Sequence, residues 1–103
     1  MSWLNVETSV GSAGMEICCA GEIDVGSCAK LIDAFDRVLS GGVDVVRVDL
    51  RAVTFIDSTG IGCLLHAALK AGKLGTTLVV VPSDSVRRFI DITGLGQALQ
   101  MAS

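Results

Sequence analysis

The sequence predicts a small α/β domain with elements in the order β-β-α-β-α-β-α-α, and three observations predict it. The chain opens with two short segments of strand character on either side of a glycine turn. A nearly continuous apolar segment, Val43 to Leu50, has the character of an inner parallel strand covered by helices on at least one face. The segments that follow strands two and three carry apolar residues at i, i+3, i+4 and i+7, the rows of one helix face. Two such crossovers imply a parallel core with right-handed connections. Of the 103 residues half are hydrophobic and 18% are charged, enough for a buried core, and residues 1–103 are expected to form one domain.

From Trp3 to Val10, Leu4, Val6, Thr8 and Val10 alternate with Asn5, Glu7 and Ser9, the pattern of a half-buried strand. Gly11-Ser12-Ala13-Gly14 is a turn, and Met15 to Ala20 completes a hairpin. Asp24 is the expected cap of the first helix, whose buried stripe is Cys28, Leu31, Ile32, Phe35, Val38 and Leu39. Asp33 and Arg37 form an i,i+4 pair on its wet side, and Gly41-Gly42 ends it. The second helix contains Ile61 to Lys70, with Gly72 and Gly75 about its end and Lys70 and Lys73 at its negative pole. Leu78 to Val81 is a fourth strand, stopped by Pro82. Ser83 or Asp84 caps a short helix carrying Val86, Phe89 and Ile90, with Arg87 and Arg88 outward. Thr93-Gly94 breaks it, and Leu95 to Leu99 reads as a last helical turn.

Between the third strand and the second helix lies Val53-Thr54-Phe55-Ile56-Asp57-Ser58-Thr59-Gly60-Ile61-Gly62. Ser58 is the expected cap of that helix, so Ser58→Ala is expected to cost about 1 kcal/mol. A hydroxyl there is exposed, fixed in place, and set where the helix dipole tolerates negative charge. Gly60 and Gly62 are poor helix formers, and their expected use is to leave the surface beside Ser58 bare for another backbone. Asp57 directly precedes Ser58 and Asp24 follows strand two. Both therefore fall after the carboxyl ends of neighbouring parallel strands, the edge where such folds place their sites.

Other function classes lose support residue by residue. Asp57 and Ile56 precede Ser58, so a G-x-S-x-G nucleophile elbow fails at its first glycine. Gly72-Lys73 is followed by Leu74, and Gly60-Ile61-Gly62 by Cys63-Leu64-Leu65, so neither a P-loop nor a dinucleotide fingerprint is formed. The single histidine, His66, lies about 12 Å along the helix from Ser58 at 1.5 Å per residue and is out of reach as its base. No catalytic residue, cofactor or metal site is expected. Cys18, Cys19, Cys28 and Cys63 lie in apolar contexts without C-x-x-C spacing and read as reduced, buried and structural. A net charge of −3 with no basic run argues against nucleic acid. Without a long apolar run or a signal segment, the expected location is the cytoplasm.

The stretch Leu50 with Val53 to Gly62 resembles the signature of the bacterial anti-sigma factor antagonists, the STAS domains. Gly21-Glu22-Ile23-Asp24, Val86-Arg87-Arg88 and Ile92-Thr93-Gly94-Leu95 match in the expected order, so the resemblance covers nearly the whole chain. It implies a four- to five-stranded mixed β-sheet flanked by α-helices. It also implies a partner, an anti-sigma factor with serine kinase activity, and a serine phosphatase that reverses its action. In that family the unphosphorylated antagonist binds the anti-sigma factor and frees a sigma factor. Carried over, Ser58 is the phosphoacceptor, with Thr59, which stands where many relatives have a second serine, as the alternative. The partner surface comprises Asp24, Asp57, Ser58, Thr59, Gly60, Ile61 and Gly62. The same fold also serves membrane-transporter ATPases as an accessory subunit, and a small-molecule or nucleotide sensor at the strand-end crevice is a further alternative.

Overall fold

The computed structural model describes residues 3–102, the side chain of Leu95 excepted. Five strands form one sheet in sequence order: β1 (Leu4–Val10), β2 (Met15–Ile23), β3 (Val45–Ile56), β4 (Thr77–Pro82) and β5 (Gln100–Met101). β1 and β2 are the expected antiparallel hairpin, while β2/β3, β3/β4 and β4/β5 are parallel. Helices α1 (Cys28–Leu39), α2 (Ser58–Lys73) and α3 (Asp84–Thr93) make the crossovers, and a 3-10 turn at Leu95–Ala98 replaces the expected last helical turn.

The third strand is longer than its apolar run. It starts at Val45 rather than Val43 and continues to Ile56. Val46, Val48 and Leu50 point inward with strict alternation, but the next buried residues are Val53 and Ile56. An odd step turns a side chain to the opposite face of a strand. Two register irregularities against β2 absorb these steps: Cys18 pairs with Asp49 but Ala20 with Ala52, and Gly21 with Val53 but Glu22 with Phe55. Each puts one extra residue into β3 and returns the chain to the core face. As a result Arg51, Ala52, Thr54 and Phe55 all lie exposed.

Apolar side chains from one face of the sheet and from the three helices make a continuous core that includes Ile17, Ile23, Leu31, Phe35, Leu50, Ile61, Leu64, Val80 and Ile90. α1 differs from expectation at two positions of its stripe, Cys28, which is half-exposed, and Ile32. Ala34 is buried, while Ile32 is partly exposed. In β1 only Leu4 is buried and Val6 half-buried. Thr8 and Val10 are exposed because the covering helix reaches only the start of the strand, where Lys30 Nζ donates to the Leu4 carbonyl at 3.1 Å. Arg37 does not pair with the Asp33 carboxylate. Its Nε donates weakly, at 3.4 Å, to the Asp33 main-chain oxygen. The ion pair at this level instead joins helices, Lys70 Nζ to Asp36 Oδ1 at 2.9 Å. Of the four cysteines, Cys19 alone is buried, which pushes its thiol up to about 12; Cys18, Cys28 and Cys63 are half-exposed, contrary to a uniformly buried reading.

The other face of the sheet carries Arg51, whose guanidinium holds the Asp49 carboxylate through two contacts at 3.0 and 2.8 Å. That hydrogen-bonded pairing, opposed by partial burial, holds the Asp49 carboxyl below its usual value. A depressed carboxyl stabilises the fold above its unfolded pKa, and the contribution fades as pH falls through the folded one. Asp49→Asn is therefore expected to flatten the stability profile below about pH 4 and leave it unchanged in slope near neutrality. Urea melts across that range check it.

Candidate functional site

The site begins where β2 and β3 end together. Ile23 pairs with Ile56, so Asp24 and Asp57 are the first residues beyond adjacent carboxyl ends of the sheet. After β2 the chain makes a tight polar turn. Asp24 Oδ1 accepts from the backbone N–H groups of Gly26 at 2.9 Å and Ser27 at 3.1 Å. The Ser27 hydroxyl accepts from Asp24 N–H at 3.0 Å and directs its one proton to the Glu22 carbonyl at 2.7 Å. Asp24 therefore shapes the turn rather than capping α1. The cap position is Ser27, which makes no side-chain capping bond.

After β3, Asp57 is held from three sides. Its N–H reaches the Ile23 carbonyl at 3.3 Å, its carbonyl accepts from Ile61 N–H at 3.0 Å, and its Oδ1 accepts from Gly60 N–H at 3.0 Å. The last bond makes Asp57, in extended conformation at φ −116° and ψ −172°, the cap of α2. Ser58 is the first helical residue instead of the cap, and both Ser58 and Thr59 are exposed. The consequence for stability is direct: Asp57→Ala is expected to cost about 1 kcal/mol through the lost cap, whereas Ser58→Ala changes stability by less than about 0.5 kcal/mol. Thermal melts of the two variants measure the difference, which is the reverse of what a serine cap requires.

The two glycines divide. Gly62 is exposed, with nothing within 4 Å of where a Cβ would stand, as expected of a bare surface. Gly60 is buried and faces inward. A Cβ there would stand 2.7 Å from Ile56 Cγ1, 2.8 Å from Ile23 Cγ2 and 2.9 Å from the Ile23 carbonyl. Its missing side chain lets the first turn of α2 sit directly on the ends of β2 and β3. Ile61 is likewise turned into the core, at 1% exposure. Of the seven expected partner residues, Ser58, Thr59 and Gly62 are exposed and Asp24 and Asp57 are half-exposed. Gly60 and Ile61 support the surface from below.

The sequence reading missed a crevice beside this loop. Thr54, Phe55, Ile56, Asp57, Ser85, Arg88, Phe89 and Ile92 line about 220 Å3 between the end of β3 and α3. Phe55 is 48% exposed and Ile92 78%. Ser83 fixes α3 there: its hydroxyl donates to the Val53 carbonyl at 2.6 Å and accepts from Val86 N–H at 3.2 Å. A signal was available in two large apolar side chains off the helical and strand stripes, but the bulges that expose Phe55 leave no mark in the sequence. Among the described residues, no group of three or more His, Cys, Asp or Glu could hold a metal ion, and no helix is long and apolar enough to cross a membrane. His66 is exposed on α2, eight residues beyond Ser58.

The family model described as "Mlab, STAS domain" matches residues 8–101, which takes in the end of β1, the other four strands and the site. The chain belongs to the STAS domain family. Among curated proteins it is similar to the anti-sigma-B factor antagonist of Bacillus subtilis, with 30% identity over 101 residues covering 97% of this chain and 92% of the relative. Among solved structures it is similar to an anti-sigma factor antagonist from Mycobacterium paratuberculosis, with a TM-score of 0.86, 26% identity, and coverage of 96% of this chain and 85% of that one. It shares its fold with the Bacillus cell fate determinant SpoIIAA in the phosphorylated form, with a TM-score of 0.69 at 20% identity, covering 98% of this chain and 92% of that one. The four- to five-stranded mixed sheet expected of a STAS domain is therefore present, in its five-stranded form.

Proposed function

We propose that this STAS domain is an anti-sigma factor antagonist, that its unphosphorylated form binds an anti-sigma factor with serine kinase activity and so releases a sigma factor, and that phosphorylation at Ser58 ends the complex. A serine phosphatase restores the binding form. The observation that carries the reading is the placement of Ser58. Its hydroxyl stands exposed in the first turn of α2, and the neighbouring Asp57, not Ser58, supplies the capping bond. The serine can then be modified without removing a cap from the fold. The names of the relatives support the same class of partner.

Chemistry at the site suits a switch that acts on docking. A phosphoserine adds about −1.5 to −2 charge at pH 7. At a helix N-terminus the dipole and the free N–H groups of the first turn tolerate that charge, so the domain stays folded. The half-exposed Asp57 carboxylate already lies beside it, which strengthens the negative field met by a partner. The neighbouring crevice with Phe55 and Ile92 supplies the apolar contact area an interface needs near its centre.

The test is intact-mass analysis after incubation with the candidate kinase and ATP, followed by peptide mapping. One added phosphoryl group at Ser58, absent in Ser58→Ala, supports the reading. An unmodified chain, or a phosphoryl group at Thr59 alone, overturns the assignment of Ser58.

A further inference from the structure

We propose that Cys28 and Cys63 are a working dithiol, which a peroxide converts to a disulfide that staples the start of α1 to the second turn of α2 beside the Ser58 loop. This goes beyond the partner switch and does not depend on it. α1 and α2 each follow a strand of the parallel β2/β3 pair and pack side by side. Their register is marked by the Asp36–Lys70 ion pair at 2.9 Å, between residues 34 apart in sequence. Cys28 lies eight residues before Asp36 and Cys63 seven before Lys70, about two turns up each helix on the same face. The same register therefore sets the two thiols on facing sides of the helix pair, and Cys28 is among the groups that act on the Cys63 thiol. Both are half-exposed and both are free thiols. Cys18 and Cys19 offer no such pairing, since adjacent strand residues point to opposite faces and Cys19 is sealed in the core.

The chemistry balances with a peroxide as oxidant. Burial, together with the neighbouring Cys28, pushes the Cys63 thiol up to about 11, and with Cys28 as the first sulfur to react the closure runs through a sulfenic acid. The Cys28 sulfur forms an S–O bond as the peroxide O–O bond breaks, and the departing oxygen leaves as water. Cys63 then attacks that sulfur. The S–S bond forms, the S–O bond breaks, and the Cys63 proton leaves with the hydroxide as a second water. The two sulfurs together lose two electrons and the peroxide gains them. A dithiol reductant reverses the closure.

The test treats the folded chain with hydrogen peroxide, removes the peroxide, blocks remaining thiols with an alkylating agent in denaturant so that buried Cys19 also reacts, and maps peptides by mass spectrometry without reduction. The expected result is loss of two of the four thiols, a single link between the peptides carrying Cys28 and Cys63, and alkylation retained at Cys18 and Cys19. In Cys63→Ser, a sulfenic-acid probe is expected to label Cys28 with no internal link formed. Four alkylated thiols at a dose that oxidises glutathione, a link through Cys18 or Cys19, or links only between chains would overturn the proposal. The wild-type map decides by itself if Cys63→Ser fails to fold.

Discussion

Ser58→Asp weakens binding to the anti-sigma factor about a hundredfold, a change of about 2.8 kcal/mol, while leaving the melting temperature near that of the wild type. The substituted carboxylate sits in the first turn of α2, where the dipole offsets part of its proximity to Asp57. The cap itself is untouched, because Gly60 N–H is bonded to Asp57. The penalty falls on the complex, where a fixed negative charge must be desolvated against the partner. Ser58→Ala provides the contrast: it is expected to fold as well as wild type, bind as tightly, and no longer respond to kinase and ATP. Calorimetric titration of the three chains against the same anti-sigma factor, before and after kinase and ATP, gives the affinities, and thermal melts give the stabilities. Should a pull-down with this chain recover a transporter ATPase instead of a sigma-regulating kinase, the accessory-subunit reading takes its place.

Gly60→Ala is expected to lower stability by about 2 kcal/mol. Overpacking against Ile56, Ile23 and the Ile23 main chain costs about 3 kcal/mol, and better helix propensity returns about 1 kcal/mol. For a domain of this size that is a fall of roughly 8–16 °C in melting temperature. The carbonyl is the decisive neighbour, since a side chain can rotate away but the end of β2 is pinned by its pairing with β3. Gly62→Ala, two residues on, has the opposite sign. Its Cβ enters open space on an exposed helix face, and a gain of about 0.5–1 kcal/mol is expected. Parallel thermal melts of the two variants separate a packing glycine from a bare-surface glycine.

The same two residues show where sequence reading reaches its limit. A glycine carries no polarity to reveal which way it faces, so the buried and exposed members of Gly60-Ile61-Gly62 look alike until α2 is seated on the sheet. Asp57 and Ser58 pose a related problem: either is a good cap by residue type, and the choice is made by β3 pairing with β2 through Ile56, which leaves Asp57 as the first unpaired residue. Most of the element order was legible because the helices carry strong amphipathic periodicity and the inner strand is almost uniformly apolar. β5 was not in that order, since two residues, Gln100 and Met101, are too few to show a period. The length of β3 was hidden by its two bulges, which break alternation at Arg51-Ala52 and Thr54-Phe55. The Cys28–Cys63 pairing depends on the mutual register of two helices, which no local pattern encodes.

The most direct measurement is the affinity of one anti-sigma factor for this chain before and after stoichiometric phosphorylation at Ser58, with circular dichroism recorded on both forms. Superimposable spectra and at least a hundredfold weaker binding by the phosphorylated form are expected. Equal affinities for the two forms, or a weakened affinity accompanied by loss of helical signal, would contradict a switch that acts on docking.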